Sequence, residues 1–160
     1  MTTTRASRIV LACLVVVGAM AAAGCEFESP LTTTATRAVD PRLLGDWVST
    51  DADAMPMKVR RLDDSTYIVV CDGDLYRVHH SDLADTPFLS VQDIDSDGRK
   101  YAFLAWALST DGAVLTLRVL RSEVVPSTIR DVAALQQAVK DHLRDPRLFG
   151  TDVVFRRAKA

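Results

Sequence analysis

Apolar and polar positions along this chain fall into three regimes. Ile9 to Val17 is a continuous apolar run, followed by the almost uniformly small residues Gly18 to Gly24. Glu26 to Val39, with Ser29-Pro30 and Thr32-Thr33-Thr34-Ala35-Thr36, shows no periodic apolar face. From Trp47 onward, short β-rich runs alternate with turn signals. Met57 to Leu62 and Thr66 to Cys71 flank Asp63-Asp64-Ser65, and Asp72-Gly73 leads into a third run ending at His79. An Asp-Gly pair between such runs predicts a tight hairpin. Phe88 to Gln92, Lys100 to Leu108 and, past Asp111-Gly112, Val114 to Val119 continue the series, so that with the run at Trp47 seven strands in a meander are expected.

Lys100 to Leu108 includes Tyr101-Ala102-Phe103-Leu104-Ala105-Trp106-Ala107-Leu108, apolar on both faces, and a strand dry on both sides requires a cover outside the sheet. The spacing of Val132, Leu135, Val139 and Leu143 predicts that cover as a helix over Thr128 to Leu143, with Thr128 and Asp131 as a capping box and Asp145-Pro146 as its stop. Asp152 to Arg157 reads as a last strand. Asp40-Pro41-Arg42-Leu43-Leu44 suits a short helical turn, with Pro41 following an Asp cap. The expected fold is mainly β: an antiparallel meander with one C-terminal α-helix before the last strand, an order similar to that of lipocalin-like (calycin) barrels, which implies closure into a small barrel of about eight strands.

The N-terminus has the order of a secretory signal, Arg5 and Arg8 preceding the apolar run and small residues closing it. The run is shorter than the ~20 residues a membrane-spanning helix needs. Ala22-Ala23-Gly24-Cys25 resembles the lipobox of bacterial lipoproteins, with Ala22 where that pattern prefers Leu. The resemblance implies cleavage after Gly24 and acylation of Cys25, and several acyl chains at about 0.8 kcal/mol per buried methylene make a durable anchor. Glu26 after the cysteine favours outer-membrane sorting over inner-membrane retention. The expected organisation is a signal peptide over 1–24, a flexible tether over 25–39 and a barrel domain over 40–160. Loss of Arg5 and Arg8 makes the net charge of −2 two units more negative. A mildly acidic surface argues against nucleic acid as a partner.

The order of elements, seven strands, helix, strand, is similar to that of lipocalin-like (calycin) barrels. Gly45-Asp46-Trp47 resembles the lipocalin Gly-x-Trp, and Arg118 and Arg121 match the place where that family carries an arginine packed over the tryptophan. That contact would be structural, closing the base of the barrel. The resemblance also implies an apolar ligand, although a barrel of short strands can be filled by its own side chains.

Candidate chemistry adds little. Cys13 leaves with the signal and Cys25 is alkylated, so Cys71, in the apolar run Ile68-Val69-Val70-Cys71, reads as a small buried hydrophobe. Asp93, Asp95, Asp97 and Gly98 spell half of a calcium loop, but its twelfth position is Leu104 and a strand follows, so a solvated turn is the reading. His79-His80 are neighbours on a strand and point to opposite sides, which prevents joint ligation of one metal, with Cys71 and His142 as distant further ligands. Nucleophile elbows, phosphate loops, dinucleotide fingerprints and zinc-protease motifs are missing, and Glu26, Glu28 and Glu123 are the chain's only glutamates. No catalytic, cofactor or metal residue is assigned. The expectation is a non-enzymatic, lipid-anchored envelope protein that binds an apolar small ligand or, with a filled barrel, an envelope protein.

Overall fold

A computed structural model describes residues 27–51, 53–94 and 100–159. Eight antiparallel strands close into a barrel in strict chain order: β1 (Gly45–Ser49), β2 (Pro56–Arg61), β3 (Thr66–Cys71), β4 (Asp74–His80), β5 (Phe88–Asp93), β6 (Tyr101–Leu108), β7 (Val114–Val119) and β8 (Val153–Arg157). β8 pairs with β1, Trp47 opposite Arg157, so no edge is left unpaired. One helix, α1 (Val132–His142), lies between β7 and β8. The expected eight-strand barrel with a helix before its final strand is the architecture the chain adopts.

Local chemistry explains the turns. Asp72 and Gly73 both have positive φ, 52° and 96°, the backbone a two-residue hairpin between β3 and β4 demands. α1 starts four residues later than the Thr128 capping box suggested. Asp131 is itself the cap, accepting from the Ala134 N–H at 2.8 Å, and Leu135 and Val139 form the buried stripe.

A six-residue motif occurs twice. Asp40-Pro41-Arg42-Leu43-Leu44-Gly45 and Asp145-Pro146-Arg147-Leu148-Phe149-Gly150 share the pattern Asp-Pro-Arg-Leu-x-Gly. In each, the aspartate accepts from the backbone N–H of the arginine and grips its guanidinium with both oxygens. Each leucine is buried, at 3% and 0% exposure. The first copy forms a 3-10 turn (Pro41–Leu43) beneath the barrel and feeds β1; the second feeds β8, the strand paired with it.

The barrel base differs from expectation in which arginine serves it. Arg157, on β8, lies over Trp47 with its guanidinium carbon 4.4 Å from the ring centroid, and donates to the carbonyls of Gly112, Leu44 and Arg42. Arg118 packs on Phe149 instead, and Arg121 pairs with Glu123. The reason is register: Trp47 sits opposite Arg157 across the β1–β8 seam that closes the barrel. Gly45 is required there, since its φ is +132° and a Cβ would come within 2.8 Å of the Arg157 guanidinium.

The second correction concerns the segment read as a tether. Residues 27–39 are packed along the outside of the barrel. Phe27 and Tyr101 exchange backbone hydrogen bonds at 2.7 and 2.9 Å, and Phe27 and Leu31 are fully buried. Further along, Leu31 accepts from the Gln136 side chain, Thr36 N–H donates to the His80 carbonyl, and Val39 N–H to Asp64. Sparse but large apolar residues anchor this strap, so the missing periodicity did not mean a missing partner. Two cores result. One lines the barrel; the other, built from Phe27, Leu31, Phe88, Phe103, Leu135 and neighbours, lies between the outer face of β5 and β6 and the cover formed by α1 and the strap.

Candidate functional site

Period-two alternation points Tyr67, Val69 and Cys71 of β3, Tyr76 and Val78 of β4, Val91 of β5, Leu104 of β6 and Leu117 of β7 into the barrel. They enclose a cavity of about 110 Å³ whose exposed wall is apolar throughout. Its two ends differ. At the floor, Leu43, Tyr67, Leu115 and Phe155 are buried to 3% exposure or less, and the 3-10 turn crosses beneath them. At the other end Cys71, Val91, Val119 and Val153 are only half-buried. That end, where β3 stops and β6 and β8 begin, is the mouth.

Polar groups collect at the floor. Tyr67 Oη accepts from the Asp40 N–H at 2.6 Å and lies 2.7 Å from His80 Nε2. The phenol and Nε2 share one hydrogen bond, whose direction follows the imidazole tautomer. His80 is wholly buried, and burial, aided by the Arg37 guanidinium, lowers its pKa to about 4. Burial likewise pushes the Tyr67 phenol up to about 12. Trp106 stands 5.6 Å from the His80 ring, and Arg37, paired with Asp82 at 2.9 Å, lies 5.1 Å from its centroid. Trp106 Nε1 and His80 Nδ1 are buried without a hydrogen-bond partner among the described residues. A histidine this hard to protonate is a poor proton acceptor at neutral pH.

Toward the mouth, burial raises the Cys71 thiol to about 11, and its sulfur contacts Met55 Sδ at 3.7 Å. It lines the cavity as an apolar group and is not a thiolate nucleophile at neutral pH. Burial and the Asp74 carboxylate raise the Tyr76 phenol as well.

The residues singled out from sequence are dispersed. His79 and His80 point to opposite sides: His80 into the floor, His79 outward within 3.4 Å of the Thr32 carbonyl of the strap. Burial lowers the His79 pKa too. Asp93 ends β5, while Asp95, Asp97 and Gly98 lie outside the described residues, as do Cys25 and the rest of the lipobox. Among the described residues no three of His, Cys, Asp and Glu come together as a metal set. Tyr67, Trp106 and Arg37 were missed as a group, although inward period-two positions on β3 and β6 already carried the first two. Comparison with protein-family models, curated proteins and solved structures yields no match.

Proposed function

We propose that this protein is a lipid-anchored module of the bacterial cell envelope, held by acylated Cys25, whose barrel binds a small apolar ligand without chemical turnover. The observation that supports ligand binding is the apolar cavity of about 110 Å³ with one half-exposed end. Ordinary ligand pockets run about 300–1,000 Å³, whereas an engineered apolar cavity of about 150 Å³ takes benzene. The matching ligand is therefore a single ring or a short alkyl chain. The anchor rests on the lipobox, with the outer membrane as its site and the domain facing the periplasm.

Calorimetric titration with straight-chain alcohols from butanol to decanol tests the binding. Each added methylene is worth about 0.8 kcal/mol, so Kd should fall about four-fold per carbon until the cavity is full and then level off. No uptake at any length would favour the second reading, an envelope protein-interaction module with a closed interior. The small volume is what favours that reading, and crosslinking in intact cells would then capture a defined partner. Release of the protein from the membrane fraction by Cys25→Ala tests the anchor.

A further inference from the structure

The strap joins two features that the sequence keeps apart, the anchor and the cavity mouth. It begins at Phe27, paired with Tyr101 at the first residue of β6, which is the mouth end of the barrel. From there it runs down the outside, past Ser81, where Thr32 Oγ1 meets Ser81 Oγ at 2.8 Å, to the floor, where Val39 and Asp40 hold Asp64 and Tyr67. Phe27 is fully buried, its ring 4.6 Å from that of Phe103. Cys25 is two residues before Phe27 in sequence. Two residues of extended chain span at most about 7 Å.

We infer that the anchored barrel stands with its mouth toward the bilayer, so that the apolar cavity exchanges its ligand with the membrane and not with the bulk periplasm. This rests on the acylation of Cys25 proposed above and adds to it an orientation. A flexible tether over 25–39 would let the domain tumble; a docked strap with a two-residue lead leaves little freedom. Exposed apolar side chains do not decide the matter, since Ile94 lies at the mouth end and Leu62 at the floor. Charge sets the kind of surface. The turns at the mouth carry Asp51, Asp53, Asp72 and Asp152 against Lys100, all exposed, an acidic balance that disfavours anionic headgroups and fits a zwitterionic leaflet. Covalent attachment, not electrostatic attraction, imposes the approach.

The test uses the full lipidated chain in phosphatidylcholine vesicles, with Cys71→Ser and a single fluorophore-bearing cysteine at the mouth (Asp51→Cys) or at the floor (Asp64→Cys). A nitroxide-labelled lipid should quench the Asp51 site at least about three-fold more than the Asp64 site. Ten Gly-Ser residues inserted before Phe27 should erase the difference while the protein still floats with the vesicles, and phosphatidylglycerol should reduce quenching at the mouth. Equal quenching in the uninserted protein, or stronger quenching at the floor, overturns the orientation. Failure to float with vesicles overturns the anchor itself, which Cys25→Ala would then leave unchanged.

Discussion

The barrel interior and the layer outside β5 and β6 are both apolar, yet they are built to different standards. Outside, Phe27, Leu31, Phe88, Phe103, Leu120, Leu135 and Leu148 are all at 0% exposure, interlocked among strand, helix and strap. Inside, many lining side chains retain some exposure and surround a cavity of about 110 Å³. Close packing is the rule for protein interiors, and apolar side chains left short of partners forfeit dispersion contacts. The chain holds itself together from the outside, where the strap and α1 clamp the sheet, and tolerates looseness within.

Three experiments bear on that contrast. The largest effect is expected from Phe103→Ala, which removes the ring tilted against Phe27 and should cost about 4 kcal/mol in urea unfolding, against about 1 kcal/mol for Val91→Ala in the half-buried cavity wall. Equal costs would abolish the distinction between the two cores. Next comes acid. His80 has its folded pKa lowered from 6.5 to about 4, so between these values the unfolded chain takes up a proton that the folded chain refuses. Stability from this residue is complete above about pH 6.5, declines as pH falls and is spent below about 4, a loss of about 3 kcal/mol. His80→Gln should remove that part of the decline, measured as the difference between the two proteins' unfolding free energies at pH 7, 5.5 and 4. The smallest effects concern added volume. Ala105→Leu, in the tight outer layer, should destabilise by about 2 kcal/mol, whereas Val78→Phe, growing into the cavity, should change stability by less than about 1 kcal/mol and abolish alcohol binding.

Much of the barrel was legible because its signals are local. Runs of strand composition between turn signals marked β3 and β7 at their observed ends, and Asp72-Gly73 forecast the hairpin between β3 and β4. The two-sided apolar run of β6 demanded an outer cover, and α1 supplies part of it. Illegible were contacts made between segments far apart in the chain. Whether Arg118, Arg121 or Arg157 covers Trp47 depends on how the last strand seals against the first, a matter of register across the closure. The strap was misread for a related reason. A helix or half-exposed strand advertises its buried face by period, but a single extended segment lying in a groove needs only a few large side chains at irregular intervals, here Phe27, Leu31 and Val39.

By itself, then, the sequence determined the strand meander, the helix before the last strand, the glycine-dependent turns and the opposite facing of adjacent residues such as His79 and His80, because backbone geometry couples each of these to its near neighbours. Only the tertiary structure decided the register in which β1 meets β8, that Arg157 closes the base, that residues 27–39 bind the barrel wall and that the interior holds a cavity whose half-exposed end lies at the end of the barrel where Phe27 pairs with Tyr101. Those outcomes depend on volume and register summed over the closed barrel, which no local pattern encodes.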